Sequence, residues 1–294
     1  MDTNDHIAAH IARVTGEPFV VQRGSAVGGG CINTATVLEG DGRRYFVKLN
    51  DASRIEMFEA EMDGLEEIAR TSTVRVPRPV CCGAAGGRAY IVMEYIRLGG
   101  GGRDTQAALG RALAAMHRCT AGRFGWHRDN TIGSTPQVNT PCSGWAEFYR
   151  EHRLRFQLEL AARNGYRGAL QRDGARLLAG IEGFFRGYAP VASLLHGDLW
   201  AGNASADASG VPVIFDPAVY YGDREADIAM TELFGGFGRG FYDAYSGAWP
   251  LDAGYGVRRT LYNLYHVVNH LNLFGGGYLS QAEHMTRELL AELA

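Results

Sequence analysis

The run His196-Gly197-Asp198-Leu199-Trp200-Ala201-Gly202-Asn203, followed after a short hairpin-like stretch by Ile214-Phe215-Asp216-Pro217, constrains this chain more than any other feature. The H-x-D-x-x-x-x-N spacing puts a carboxylate and a carboxamide on one tight loop, and Asp216 ends an apolar strand beside it. Oxygen donors in this order suit phosphoryl transfer, where the protein contributes positioning and charge neutralisation more than covalent chemistry. Asp198 is expected to orient an attacking hydroxyl, with Asn203 and Asp216 as the ligands of a magnesium ion. An ordinary carboxylate titrates near pKa ~4, so Asp198 is expected to be ionised at neutral pH without special tuning. His196 and Asp227 are expected to anchor the loop, Asp227 from the start of a following helix as a cap or tie.

The N-terminal third reads as strands. Phe19-Val20-Val21, Thr34–Leu38 and Arg44–Leu49 are rich in β-branched and aromatic residues, and Gly40-Asp41-Gly42 supplies a hairpin turn. A helix is expected from about Ser53 to Arg70, broken by Val76-Pro77-Arg78-Pro79, with another strand at Ala89–Tyr95. Between the first strands, Gly28-Gly29-Gly30-Cys31-Ile32-Asn33 can bring backbone N–H groups close to phosphates. It is neither a Walker loop nor a dinucleotide fingerprint, because no Gly-Lys-Ser/Thr follows and a strand comes next. Alternation places Lys48 on the face of Phe46, pointing partly inward, and a buried ammonium needs a partner. On the following helix, Glu61 falls inside the apolar stripe of Phe58, Met62, Leu65 and Ile68, whereas Glu59 falls outside it. Glu61 is therefore the expected partner that aims Lys48 at the phosphates of ATP. Met93, Glu94 and Tyr95 occupy the strand-to-linker position where backbone groups would meet adenine.

The four glycines Gly99 to Gly102 mark a connection. They divide a β-rich lobe over residues 1–98, which would bind nucleotide, from a mostly helical lobe over 99–294, which would carry catalysis and substrate. The expected architecture is α+β and bilobal, like a protein kinase. A net charge of −3 with no Lys/Arg block argues against nucleic acid as a partner, and no stretch is apolar for long enough to span a membrane. Five cysteines without a C-x-x-C pair fit neither a zinc site nor a secreted disulfide framework, which points to a reducing cytoplasm. His266 and His270 stand four apart on a helix, but Val267 takes the place where a zinc protease carries Glu. His117 and His284 read as ordinary helix residues.

Asp216 is followed by Pro217-Ala218 instead of Phe-Gly, and no Ala-Pro-Glu closes an activation segment, so a small acceptor is expected over a protein hydroxyl. The whole pattern resembles the fructosamine (ketosamine) kinases, within the wider aminoglycoside phosphotransferase and choline kinase superfamily. The resemblance runs through Gly28–Asn33, Phe46-Val47-Lys48, Met57–Glu61 and Val76–Pro79. It continues through Asn130–Gln137, His196–Asn203, Leu233-Phe234-Gly235-Gly236-Phe237 and Asn269–Gly275, with Trp200 as its sharper mark. It implies ATP and Mg2+ as cofactors, and phosphorylation of the third-carbon hydroxyl of a sugar held as a ketoamine, on a small amine or on a glycated protein lysine. The phosphorylated adduct would then release the amine, which amounts to deglycation.

This chain departs from the family with Asp223 in Tyr221-Gly222-Asp223-Arg224-Glu225 and with Asn139–Ser143 after Gln137. Trp200 is expected to receive the sugar face, with Asp223 and Glu225 attracting the amine. An exposed Cys31 thiol would make a redox-dependent dimer possible beside a monomer. The alternatives are a kinase for an aminoglycoside or choline, and a nucleotide-binding pseudokinase scaffold. Intact Lys48, Asp198, Asn203 and Asp216 speak against the scaffold.

Overall fold

A computed structural model describes residues 3–28, 32–99 and 101–293. Five antiparallel strands form the first sheet: β1 (Arg23–Val27), β2 (Thr34–Gly40), β3 (Arg43–Asp51), β4 (Pro79–Ala85) and β5 (Arg88–Glu94), in the order β1-β2-β3-β5-β4. Two helices pack on it, α1 (Thr3–Thr15) and α2 (Ile55–Arg70). The pleat explains how one strand serves two cores. Tyr90 and Val92 face α1 with Val47, Ile7 and Ile11, while Ile91 and Met93 face α2 with Phe58 and Leu65. Phe46 and Lys48 share the α2 side, and opposite the fully buried Val47 they line the cleft below the sheet.

Several elements differ from the sequence expectation. Phe19–Val21 is not a strand. Phe19 is buried in the α1 core with its ring edge-on to Tyr45, and a Cβ on Gly40 would lie 1.9 Å from the Val20 carbonyl, so this segment crosses the sheet end as a strap. The first strand is the small, mostly exposed Arg23–Val27 instead. Helix α1 and strand β4 are additions whose apolar residues are too few to show a strong period. Gly99 is paired: in the short strand Leu98–Gly99 it lies opposite Ala206 in Ala204–Asp207. Gly100, Gly29, Gly30 and Cys31 lie outside the described residues, as do the expectations placed on them.

The rest of the chain is mainly helical: α3 (Arg103–His117), α4 (Trp145–Tyr149), α5 (Phe156–Arg163), α6 (Ala169–Gly180), α7 (Glu225–Leu233), α8 (Arg239–Ala248), α9 (Tyr255–Phe274) and α10 (Leu279–Glu292). A π-helical stretch, Arg150–Arg155, joins α4 to α5. The buried core runs without a break from the α2 side of the sheet into these helices. No described helix is long and apolar enough to cross a membrane. The molecule is thus α+β and two-lobed, a sheet lobe on a helical lobe.

Arg75 ties the two lobes at the linker. Its guanidinium pairs with Glu94 at the end of β5 (2.7 Å) and with Asp207 on the helical side. A hairpin from the helical lobe, Asn130–Ile132 with Thr135–Gln137, braces the segment after Asp216. Asn130 Nδ2 donates to the Val219 carbonyl (2.8 Å) and Gln137 Nε2 to that of Ala218 (3.1 Å).

Candidate active site

The lobes meet at a cleft of about 590 Å³, and Lys48, Glu61, Asp198, Asn203 and Asp216 all line it. Lys48 Nζ lies 2.5 Å from Glu61 Oε1 and 2.7 Å from Asp216 Oδ1. Burial alone would lower the pKa of this ammonium, but the Asp216 and Glu61 carboxylates outweigh it and the pKa is raised. Glu59 turns the other way, toward Arg128 (3.5 Å). Asp216 adopts a left-handed backbone conformation (φ 58°), uncommon for a residue with a side chain and tolerated best by Asp and Asn.

The loop bearing Asp198 is held by buried polar contacts. Asp227 accepts hydrogen bonds from the backbone N–H groups of His196 (2.7 Å) and Gly197 (2.8 Å), and its Oδ2 also lies 3.2 Å from His117 Nε2. Asp227 sits in the first turn of α7, whose N-cap is Arg224, so its side chain ties the loop instead of capping its own helix. Its burial would raise its pKa, but His117, His196 and the Gly197 N–H together lower it. His196 Nε2 donates to the Phe215 carbonyl (3.0 Å) while its Nδ1 accepts the Asp198 N–H (3.3 Å), a neutral tautomer that burial favours. Gly197 has φ +82°, and a Cβ there would lie 2.1 Å from the Ala218 carbonyl, so no other residue fits. The loop and the strand end carrying Asp216 are therefore fixed to each other through backbone atoms.

Asp198 itself differs from the sequence expectation. Burial in the cleft, then the charges of Asp216 and Asp227, push its pKa up to about 7, with only the Asn203 amide opposing. Asn203 Nδ2 donates to the Asp198 carbonyl (2.9 Å) and carboxylate (3.3 Å), which leaves its Oδ1 as the free oxygen. Glu61 and Asp216 share the single Lys48 ammonium, Asp198 lines the same cleft, and the excess negative charge suits a divalent cation. Among the described residues no cluster of three His, Cys, Asp or Glu side chains offers a full metal cage. The two oxygens of Asp216 and Asn203 fit a hard ion that keeps water and phosphate oxygens as its other ligands.

Gly28, Asn33, Met93 and Glu94 also line the cleft, and Asn33 Oδ1 accepts from Asn50 (2.7 Å). The Tyr95 ring leaves the cleft to lie under Arg44, 5.7 Å from its guanidinium. Trp200 is 40% exposed and lines the cleft as well.

Asp223 and Glu225 do not. They are 1% and 0% exposed, with Asp223 held by Tyr262 (2.5 Å) and Tyr188 (2.9 Å), and Glu225 paired to Arg258 (2.8 Å). Their expected role in attracting an amine fails because both carboxylates are spent inside the helical lobe. His117, read as an ordinary helix residue, is fully buried between Tyr245 (2.7 Å) and Asp227, and its only signal is a histidine on an otherwise apolar helix face. The Asn130–Gln137 hairpin was visible as a motif, but its bracing of Pro217–Val219 has no local sequence signal.

An acid, an amide and a paired lysine gathered between an antiparallel sheet lobe and a helical lobe define a kinase-like phosphotransferase. The fold agrees: an aminoglycoside phosphotransferase superposes with a TM-score of 0.61 at 14% identity over 100% of both chains. More specifically, the fructosamine kinase profile matches residues 3–292, and the chain belongs to that family. A Synechocystis protein named as a ketoamine kinase is 47% identical over 97% of this chain and 96% of its own. A chloroplastic protein-ribulosamine 3-kinase of Arabidopsis thaliana is 46% identical over 95% of this chain and 86% of its own. A Thermobifida fusca structure assigned as a fructosamine-3-kinase has a TM-score of 0.86 at 31% identity, covering 97% of this chain and 98% of its own.

Proposed function

We propose that this kinase uses ATP and Mg2+ to phosphorylate the third-carbon hydroxyl of a sugar held as a ketoamine, and so begins its removal from an amine. Residues 1–98 serve as the nucleotide lobe and 99–294 as the catalytic and acceptor lobe. The observation that carries the reading is the convergence of Lys48, Asp198, Asn203 and Asp216 on one cleft in a chain of this family. The names of the relatives supply the substrate class.

In the proposed step the sugar hydroxyl, oriented by Asp198, attacks the γ-phosphorus of ATP. The bond to the β–γ bridging oxygen breaks, ADP leaves, and the hydroxyl proton passes to Asp198. Lys48, held by Glu61, steadies the α- and β-phosphates, and the Gly28–Asn33 loop and the Met93–Tyr95 backbone take the phosphates and adenine. Asn203 and Asp216 would hold the magnesium, which supplies charge neutralisation at the phosphates when bound. With a cation held at Asp216, Asp198 would titrate lower and keep its carboxylate form near neutrality.

ADP release measured across ketoamines of lysine and of small amines, aminoglycosides and choline tests the assignment. Ketoamines are expected to support turnover and the other two classes to give only the rate of ATP alone. Turnover with an aminoglycoside or choline and none with any ketoamine would reject it.

A further inference from the structure

If the acceptor is a ketoamine, as proposed, its amine is cationic, and with Asp223 and Glu225 buried elsewhere the described residues around Trp200 hold no free carboxylate for it beyond the reacting group itself. Aromatic faces are there instead. Trp200, Phe234 and Phe274 are 40, 45 and 52% exposed, unusual for rings of this size in a well-packed chain. Trp200, His270 and Phe274 line the cleft and Phe234 links them into one wall: Trp200 meets Phe234 edge-on at 6.4 Å, Phe234 meets His270 at 5.0 Å, and His270 meets Phe274 at 5.4 Å.

This wall is built into the backbone. The Trp200 indole lies across Gly202, where a Cβ would come within 2.2 Å of the ring. Gly236, at φ +98°, admits Ala201, whose Cβ would meet an added Cβ at 2.3 Å. The Phe234 loop is thereby pressed against the loop that carries Asp198.

His270 completes the wall with a directed acceptor. Its Nδ1 lies 2.7 Å from the His266 carbonyl, which can only accept, so Nδ1 carries the hydrogen and Nε2 carries a lone pair. Burial lowers the pKa of this ring, so it stays neutral. No protein group takes Nε2 among the described residues, and His270 lines the cleft with Asn269 and Phe274.

We propose that Trp200, Phe234 and Phe274, with the Nε2 lone pair of His270, form the subsite for the amine end of the acceptor, taking a secondary ammonium and the alkyl stem that carries it. The ring faces attract the cation and cover the stem, and Nε2 accepts one ammonium hydrogen. The sugar then extends toward Asp198 on the neighbouring loop. These side chains act as specificity residues, distinct from the group that handles the reacting hydroxyl.

The test compares a ketoamine of an α-blocked lysine with its ether isostere, in which oxygen replaces the amine nitrogen. Binding is read by calorimetry and turnover by ADP release. Wild type is expected to prefer the ammonium compound by about 10-fold or more. His270→Phe, which keeps the ring but not the acceptor, and Phe274→Leu, which keeps the bulk but not the π face, should each cut that preference several-fold, with the loss in KM instead of kcat. Phe274 is exposed, so its variant keeps the test alive if His270→Phe folds poorly. Equal wild-type affinity for the two compounds, or an unchanged preference in the variants, would overturn the subsite. Retained preference in binding with no turnover of the ketoamine would uphold the subsite and instead overturn the proposed phosphate acceptor.

Discussion

Asp198 shows how a carboxylate buried in a cleft works against the fold that holds it. Its pKa of about 7 arises from burial and from Asp216 and Asp227, whereas the unfolded chain would titrate it near ~3.9. Between those values the folded protein holds a proton that the unfolded chain has lost, so this contribution to stability falls as pH rises through the window. Asn stays neutral throughout. Asp198→Asn is therefore expected to be more stable than wild type at pH 8, by roughly 2–4 kcal/mol, and equal to it below pH ~4. Chemical denaturation at the two pH values checks the sign, and equal stability at both would show that the cleft does not desolvate this carboxylate. The type and position of Asp198 were legible in the motif, but its protonation was not. That depends first on burial in the cleft and then on Asp216 and Asp227, which the chain brings together only after folding.

At the level of elements, the loop that carries Asp198 is held by α7 more than by its own residues. Asp227 satisfies two backbone N–H groups and a buried histidine at once. Asp227→Ala would strand these groups in the core, at a cost of about 3 kcal/mol or more, and loosen the loop that carries Asp198. Calorimetry should show the lowered melting temperature, and kcat should fall together with it. A variant with wild-type stability would mean that water replaces the lost carboxylate. The helical period of α2 identified Glu61 as the partner of Lys48 because an amphipathic stripe is a local property. Asp223 and Glu225 misled for the opposite reason. Their sequence proximity to Asp216 suggested the cleft, but α7 starts there and turns both side chains toward Tyr188, Tyr262 and Arg258. Short or weakly patterned elements such as α1, β1 and β4 were illegible because their apolar positions make sense only against the finished sheet.

On the scale of the whole molecule, the two lobes share one core and are tied by Arg75 at the linker, so the cleft between them is a property of the folded chain. Lys48 is also the sole lysine in the sequence, and it is 6% exposed. Reducing sugars condense with free amines, so beyond a chain terminus this molecule presents almost no site for the modification its proposed reaction reverses. After prolonged incubation with ribose, intact mass is expected to show no ketoamine beyond one at the terminus, and activity should persist. Replacing the exposed Arg172 with Lys should add one adduct. Heavy modification of the wild-type chain would show that Lys48 is reached in solution.

In the proposed reaction Asp198 handles the acceptor hydroxyl beside the phosphates of ATP. Single-turnover phosphorylation of a ketoamine by wild type and Asp198→Asn, with nucleotide binding measured in parallel, tests it most directly. The expected result is a rate lower by about 10²–10⁴ with ATP affinity retained. Phosphorylation by Asp198→Asn at the wild-type rate would contradict it.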